Sequence, residues 1–415
     1  MMATVSQIEN QKITATHWTL FIICFLGDAA GGTVSTLMST YLPDVVRDMH
    51  ITANAAAQAR IGAYINAVFI FGWAFGGFSW GMMSDRIGRK KAMLLSVAWY
   101  GLFTLLTGVM QNWWGIVVCR FMSGFGVGGV LVISITMLSE VWPPKYKSVF
   151  IGILSIAFPV GIFSAGLITF NISFWRMAFA IVGILPLLLS LIVIWLVKES
   201  EEWLNNQQHS TEKRSKPWSV FSIGHQRELI VGSIVFGSML VGLWAIFSWL
   251  PTWVQSLVTD NDGQKERGLS MMLMGMGGLT GGFFSGWFLN AIGLRKSMLL
   301  CFAVSAVLSF VLFKTNNAFS PVIYVEIAVM AFFFGISQGV LSYYIPHLFS
   351  TSIRSSATGF CFNIGRLFTG TAVLFVGILV TALGGYGNAI FIFSLVFVIG
   401  LLVIFFTKNI EKQGS

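Results

Sequence analysis

The sequence predicts an all-α polytopic membrane protein with twelve transmembrane helices in two pseudo-symmetric six-helix halves. Apolar residues make up 56% of the chain and charged residues only 10%, with a mean hydropathy of +0.80. Soluble domains carry roughly 25% charged residues, so this composition excludes a soluble globular protein. A motif that starts at Gly81 also returns 205 residues later, which indicates two related halves.

Twelve apolar stretches are each long enough to cross a bilayer, which takes roughly 20 residues. They lie at 17–42, 58–80, 92–110, 113–139, 148–169, 175–197, 229–255, 270–291, 297–314, 321–346, 356–382 and 387–407. Six precede the longest polar stretch and six follow it. We therefore expect a first half over 1–200, a cytoplasmic linker over 201–227 and a second half over 228–415. The first stretch lacks a signal cleavage site, so we expect it to remain as a span.

The lysines and arginines are distributed unevenly between the two ends of these spans. Of 25, seventeen fall on the side of the chain termini and the loop after span 2, six fall on the other side, and two lie within spans. Loops rich in Lys and Arg stay in the cytoplasm. We therefore expect a multi-pass protein of the cell (inner) membrane with both termini cytoplasmic. The net charge of +9 follows from this topology, and nothing favours nucleic-acid binding.

The loop between spans 2 and 3 carries a charged motif that recurs in the second half. Gly81–Lys91 has the sequence GMMSDRIGRKK, and Gly286–Lys296 has the sequence GWFLNAIGLRK. The second copy keeps both glycines and two cations but has lost the acid Asp85. A second pair of segments, Glu140–Ser148 and His347–Ser355, matches at an offset of 207. Such duplicated halves are typical of secondary transporters.

Three charged residues lie deep within predicted spans, away from their ends: Asp28, Arg120 and Arg366. An acid in hydrocarbon costs roughly 2.5–3.5 kcal/mol, and such residues usually mark transport pathways. Burial favours the neutral acid, so Asp28 is a candidate proton carrier; the alternative is a purely structural carboxylate. The two arginines stay charged and outnumber the acid, which favours an anionic substrate. Either arginine could instead be structural, with Arg120 paired to Asp28 or Arg366 to a helix end.

Polar and aromatic residues of the spans give candidate substrate contacts. Span 1 is rich in glycine and hydroxyl groups, a composition that tolerates close packing and local unwinding and points to a binding site. The candidate binding residues are Arg366, Asn363, Tyr343, Tyr344, Gln338, Trp244, Phe158, Thr33 and Thr36. Most aromatic residues in such a chain face lipid or the interface instead. The four cysteines lack metal-ligand spacing, and we expect no metal site.

The acid among the four cations of the first motif suggests a gate at the cytoplasmic surface. Topology alone requires only cations, so we expect Asp85 to bridge helix ends in the form that is closed to the cytoplasm. The candidate gate residues are Asp85, Arg86, Gly81, Gly88, Arg89, Glu140 and Arg354.

The motif Gly81–Lys91 closely resembles the loop 2–3 signature of the major facilitator superfamily, and its degenerate echo at Gly286–Lys296 is typical of that family. Arg120 with Gly124 and Gly126 resembles the span-4 motif, which in the family is often linked to the proton step. The segment Glu199–Leu204 is similar to the end of the first half in sugar porters and metabolite:proton symporters, without their proline. The sialic acid and aromatic acid symporters are the most similar branches.

The resemblance implies a major facilitator fold and alternating access around a central site. We expect a secondary active transporter, a symporter that takes up a small organic anion (a sugar acid, sialic acid or aromatic acid) with a proton. The alternatives are a proton-driven efflux antiporter and a membrane receptor that does not transport. An enzyme is not expected, because no nucleophile–base pair or metal cluster is present. We expect a monomer in the lipid bilayer, with Asp28 and Arg120 in proton coupling, the proton as coupling ion and no cofactor.

Overall fold

The computed structural model describes residues 13–49, 54–201, 203–204, 226–259, 262–349 and 354–407. Most of the described chain is helical. The first six helices are α1 (Ala15–Asp48), α2 (Ala55–Ile87), α3 (Arg89–Val109), α4 (Trp113–Val141), α5 (two segments, Pro144–Ser155 and Ala157–Asn171) and α6 (Trp175–Leu196).

The second six helices follow the same order. They are α7 (Gln226–Leu257), α8 (Gln264–Ile292), α9 (Leu294–Thr315), α10 (Val322–His347), α11 (Arg354–Leu379) and α12 (two segments, Tyr386–Ser394 and Val396–Phe406). Each helix coincides with one of the twelve predicted spans, which confirms the predicted fold class. Most of the predicted linker, residues 201–227, lies outside the described residues.

Eleven helices within the described residues are long and apolar enough to cross a membrane. The exception is α8, which has the length of a span but contains many glycines and three charged residues near its start. Large apolar side chains such as Trp195, Phe283 and Phe406 remain exposed on the outer surface of the bundle. Lipid tails would cover such side chains in a membrane protein.

The break in α5 has a clear cause in the sequence. The helix is interrupted at Ile156, between segments that end at Ser155 and begin at Ala157. Pro159 lacks the N–H that would bond to the Ser155 carbonyl, and its ring clashes with that carbonyl. Pro159 therefore accounts for the break in α5.

Helix α1 shows the close packing that its glycines tolerate. It is one continuous helix over 34 residues, without local unwinding. A Cβ at Gly32 would lie 2.5 Å from the backbone oxygen of Phe158 in α5. Close packing against neighbouring helices stabilises this glycine-rich segment, so its backbone stays helical.

The same glycine packing occurs in both halves at the predicted repeat offsets. A Cβ at Gly76 in α2 would lie 1.9 Å from the Phe125 oxygen of α4. A Cβ at Gly281 in α8 would likewise lie 1.9 Å from the Phe332 oxygen of α10. The motif turns also match, because Gly88 and Gly293 both have positive φ, 99° and 82°. Only glycine adopts this conformation without strain.

Two faces of the bundle are distinguished below. The basic face carries the turns after α2, α4, α8 and α10, together with the start of α1. The opposite face carries the turns after α1, α3, α5, α7, α9 and α11. Between the halves, α2 packs on α11, α5 packs on α8, and α1 packs on α7.

Candidate functional site

The halves are in contact toward the opposite face and separate toward the basic face. In the α2–α11 pair, close approaches occur at Gly377 with Ala63, at Gly370 with Phe71, and at Gly77 with Asn363. Nearer the basic face, Gly359 has open space around it.

The α5–α8 pair behaves in the same way. Gly268 contacts Phe170 and Gly275 contacts Phe163, whereas Gly152 and Gly286 have open space. The space between the halves is therefore open at the basic face and closed at the opposite face.

Arg366 lies on α11 between Asn363 and Gly370, two positions where the halves approach each other closely. Its guanidinium Nη1 donates to the Asn363 side-chain oxygen at 3.1 Å, as expected for residues three apart on one helix face. The guanidinium carbon lies 5.2 Å from the ring centre of Trp73, a cation–π contact between the halves. Within the described residues, no carboxylate forms an ion pair with Arg366. Its charge is therefore not matched by an acid among the described residues.

This cation contacts, through Trp73, an aromatic cluster with members from both halves. Trp73 of α2 stacks on Phe158 of α5 with ring centres 5.5 Å apart and an interplanar angle of 22°. Trp244 of α7 meets Trp73 edge-on at 5.4 Å. Phe247 and Phe334 extend the cluster into the second half. Trp244 and Phe158 were candidates from the sequence, and the structure brings them together.

Trp73 was missed from the sequence. Its span contains several aromatic residues with no polar partner nearby in the chain, and the only signal was its position among Gly72, Gly76 and Gly77, which allow close approach of other helices.

The candidates on α10 occupy three different environments. Gln338 lies one turn beyond Phe334, on the same helix face, and its buried side-chain nitrogen has no hydrogen-bond partner among the described residues. Tyr344 is buried, and its hydroxyl also lacks a partner there. Tyr343 is 46% exposed and stacks on His347 at 3.9 Å, at the end of the helix near the basic face. Gln338 is the best placed to meet a ligand.

Thr33 and Thr36 use their hydroxyl groups inside the protein. The Thr33 hydroxyl donates to the Ala29 and Gly161 carbonyls, both at 3.1 Å, which ties α1 to α5. The Thr36 hydroxyl donates to the Gly32 carbonyl at 3.0 Å. Both residues are buried, so a substrate contact by either remains a prediction.

Asp28 lies inside the first half. It is 3% exposed, and neither carboxylate oxygen has a hydrogen-bond partner among the described residues. Gly27 and Gly31, which flank it on α1, pack on Val130 of α4, and the Tyr100 hydroxyl of α3 donates to the Gly27 carbonyl at 3.0 Å. An unpartnered buried carboxylate is costly when charged, and a bound proton removes that cost.

Arg120 is a second buried charge in the first half. It is 1% exposed, and its Nη1 donates to the Val34 carbonyl of α1 at 3.0 Å. Its guanidinium carbon lies 4.0 Å from the ring centre of Phe69. The alternative of an Asp28–Arg120 pair does not occur in the described residues. Six residues of α1, a rise of about 9 Å, separate Asp28 from the carbonyl that Arg120 contacts.

Three of the predicted gate residues, Asp85, Arg89 and Glu140, form an ionic cluster at the basic face, within the first half. Arg89 donates to Glu140 at 2.7 Å and to Asp85 at 2.8 Å. Glu199 accepts the backbone N–H of Arg89 at 2.8 Å and so caps the start of α3. Gly88 makes room for this contact, since a Cβ there would lie 2.3 Å from the Glu199 carboxylate.

Asp85 is the exposed member of this cluster, with 47% of its side chain accessible, against 10% for Glu140. Arg86 and Gly81 lie on the last turns of α2. The side chain of Arg354, at the start of α11, lies outside the described part of the structure. In this conformation the cluster has no described contact with the second half, so a gate role for it remains a prediction.

A second ionic cluster, which the sequence did not predict, joins the halves near the opposite face. Arg267, at the start of α8, donates to Asp44 of α1 at 2.7 Å and to the Gln255 side chain of α7 at 2.9 Å. Arg267 is completely buried. Gln264 adds bonds to the Thr169 carbonyl of α5 at 2.7 Å and to the Ile172 carbonyl at 3.0 Å. We call Asp44, Gln255 and Arg267 the Arg267 cluster.

Comparison with known proteins identifies the family. The family model of the Major Facilitator Superfamily matches residues 20–282. The chain is 30% identical to the sialic acid transporter NanX of Escherichia coli over 345 residues, which cover 80% of this chain and 81% of that protein. It is 24% identical to the cis,cis-muconate transport protein of Acinetobacter baylyi over 421 residues, 98% of each chain.

Among solved structures, the inward open conformation of the xylose transporter XylE from E. coli has a similar fold, with a TM-score of 0.78 at 15% identity. The match covers 96% of this chain and 98% of that chain. The fold, the repeated motif turn and the matched family model lead to the same result. This chain belongs to the Major Facilitator Superfamily.

Proposed function

We propose that this protein is a symporter that carries a small organic anion into the cell together with a proton. The observation that carries the proposal is Arg366: a cation between the halves, against Trp73, with no acid of the described chain to neutralise it. A carboxylate substrate would supply the missing charge and use the guanidinium fork in bidentate hydrogen bonds.

The surroundings of Arg366 favour a substrate with a flat, apolar part next to the carboxylate. The ring centres of Trp73, Phe158 and Trp244 lie 5.4 to 6.2 Å apart, and the three residues offer ring faces and edges. Aromatic or conjugated groups pack well in such clusters. The names of two relatives refer to muconate and sialic acid, and both are organic acids. Muconate is conjugated and planar, which suits this cluster.

The direction of transport rests on topology. The basic face carries most of the lysines and arginines, so we place it in the cytoplasm and the opposite face outside the cell. With that orientation, the described conformation is open to the cytoplasm and ready to release substrate inward. The return step requires the halves to rock so that the opposite face opens.

We assign proton coupling to Asp28 and keep Arg120, which binds the Val34 carbonyl of the same helix α1, as the second candidate. A proton bound to Asp28 removes the cost of an unpartnered buried carboxylate. Coupling requires that the proton affinity of Asp28 differ between the two conformations, because a site indifferent to conformation couples nothing.

The test measures uptake into proteoliposomes of labelled benzoate, cis,cis-muconate and N-acetylneuraminate, with and without an inward proton gradient. We expect gradient-driven accumulation of at least one of these acids. For that acid, Arg366→Lys should weaken binding roughly 10–100-fold, the roughly 1.5–3 kcal/mol of a charge-assisted bond. Arg366→Ala should abolish binding of the anion but not of its neutral amide.

Arg176→Lys is the matched control, because Arg176 pairs with Asp48 inside the first half at the opposite face. It should leave binding unchanged. If Arg366→Lys binds the transported acid as tightly as the wild type, Arg366 is a structural cation. Accumulation driven outward by the proton gradient would instead indicate an efflux antiporter.

A further inference from the structure

A separate cavity of about 450 Å³ lies between the halves at the opposite face. Its walls come from the end of α1 and the start of α2 on one side, and from the end of α7 and the start of α12 on the other. Cavities of roughly 300–1,000 Å³ are typical of sites for small molecules. Gln255 of the Arg267 cluster is one of the residues that line this cavity.

The charge of the cavity favours an anion. Arg47 is the charged residue of the lining, is exposed and forms no ion pair within the described chain. The nearby carboxylate of Asp44 is already engaged by Arg267 at 2.7 Å. A lining with one cation and no acid raises the local concentration of anions.

The wall of the cavity combines an aromatic surface with hydrogen-bonding groups. The Trp249 ring stacks on the Tyr386 ring with centres 5.5 Å apart and an angle of 28°, and its N–H donates to the Val373 carbonyl. The hydroxyl of Thr252 is buried and has no partner among the described residues. Ser256 follows one turn later on α7. These groups suit a planar ligand that carries a carboxylate.

The cavity is connected to the closed contact between the halves through Gln255. This residue lines the cavity, and its side-chain oxygen accepts a hydrogen bond from Arg267 at 2.9 Å. A carboxylate can accept a hydrogen bond from the Gln255 side-chain nitrogen while the Gln255 oxygen keeps its bond from Arg267. Occupancy of the cavity and the geometry of the Arg267 cluster would then be coupled through one amide.

We propose that this cavity is a second binding site for planar organic carboxylates, at which the anion first binds on its way to the central site. The proposal rests on the proposed function for the substrate class and for the inward direction of transport. Arg47 attracts the carboxylate, the Tyr386 ring, which stacks on the buried Trp249, packs against the planar part, and Gln255 links the site to the Arg267 cluster.

The experiment uses Ser256→Cys in the purified full-length protein in detergent. The four native cysteines are all buried, so the introduced thiol is the accessible one. Its modification rates by anionic sulfonatoethyl and cationic trimethylammonioethyl methanethiosulfonate are compared. We expect Arg47→Gln to lower the anionic-to-cationic rate ratio about tenfold. Arg60→Gln, which removes an exposed arginine of the same face outside the cavity, should leave the ratio within about twofold.

Benzoate then serves as the planar carboxylate probe, in an Arg366→Ala background that disables the proposed central site. Benzoate should slow modification of Ser256→Cys there, and this protection should disappear when Arg47→Gln is added. Val258→Cys, beyond the end of α7, repeats the measurement should Ser256→Cys fold poorly.

Two results would overturn the second site. One is an unchanged modification rate of both cysteine variants at benzoate concentrations up to about 10 mM. The other is an equal effect of Arg60→Gln and Arg47→Gln on the rate ratio. Failure of the central site is distinguished from either, since it appears as unchanged affinity in Arg366→Lys while protection at Ser256→Cys persists.

Discussion

Arg267 and Asp44 join the two halves of the protein through an ion pair of 2.7 Å, although they are 223 residues apart in the chain. The two partners differ in their surroundings. The Arg267 side chain is fully buried, whereas 17% of the Asp44 side chain is accessible. Because of this difference in burial, we expect substitution of Asp44 and substitution of Arg267 to destabilise the contact by different amounts.

Asp44→Asn should destabilise the contact at the opposite face more than Arg267→Gln does. Loss of Asp44 leaves a buried guanidinium without its acid, which costs roughly 2–5 kcal/mol. Loss of Arg267 leaves the Asp44 carboxylate without its partner, but this carboxylate is partly accessible and water can reach it. Spin labels at Asn171→Cys and Lys265→Cys, exposed on either side of the contact, would report opening as longer distances.

The matched control is Asp48→Asn, because Asp48 pairs with Arg176 inside the first half at 3.0 Å. It should leave the label distances unchanged. The double variant Asp44→Asn/Arg267→Gln should recover much of the closed population, since neither charge remains. Equal distances in Asp44→Asn and in the wild type would show that the ion pair does not hold the face closed.

The second prediction concerns proton coupling. Asp28→Asn should abolish proton-driven accumulation of substrate and spare exchange of labelled for unlabelled substrate. The amide cannot exchange a proton, but it keeps the shape of the side chain between α1 and α4. Parallel counterflow and gradient-driven uptake in proteoliposomes would measure both. Accumulation at the wild-type level would mean that Asp28 is structural and that another group carries the proton.

The third prediction concerns Asp85 at the basic face. In the described conformation its pair with Arg89 is half-exposed and four residues apart on the chain, so it is worth about 0–1 kcal/mol. A gate role therefore belongs to the conformation closed at this face. Asp85→Asn should leave the melting temperature nearly unchanged and shift the population toward the open form by roughly 1–3 kcal/mol.

Gly359→Cys is a suitable reporter of that shift, because the space around Gly359 is open in the described conformation. Its labelling by a membrane-impermeant maleimide from the basic face should accelerate in Asp85→Asn. Lys91→Gln, which removes an exposed cation of the same segment, is the control. Equal labelling in all three proteins would leave the motif with a role in topology alone.

Much of the fold could be predicted because apolar runs and repeated motifs are visible directly in the order of residues along the chain. Apolar runs predicted the helices, and the recurrence of Gly88 at Gly293 predicted the repeated turn. Pro159 explains the break in α5. The bond between Arg366 and Asn363 also followed from a spacing of three on one helix.

The contacts between helices could not be predicted in this way. The Arg267 cluster joins α1, α7 and α8, and no spacing within the chain indicates that these residues meet. Trp73 entered the site through packing of α2 against α5 and α7. The hydroxyls of span 1 were expected to meet substrate, but Thr33 and Thr36 donate to backbone carbonyls. A polar side chain in a helix has that local alternative, which composition does not reveal.

The last prediction concerns the glycines that let α2 pack on α4. Gly76→Ala would place a Cβ 1.9 Å from the Phe125 carbonyl oxygen, so the two backbones would have to separate. Overpacking by one methyl group costs roughly 1–3 kcal/mol, occasionally more, and here the neighbour is backbone, which cannot change rotamer. We expect a lower melting temperature in detergent, and the same for its repeat mate Gly281→Ala. Gly152→Ala is the control, because nothing lies within 4 Å of a Cβ there and alanine favours the helix by up to about 1 kcal/mol. A melting temperature of Gly76→Ala equal to that of Gly152→Ala would show that α2 and α4 can move apart at no cost.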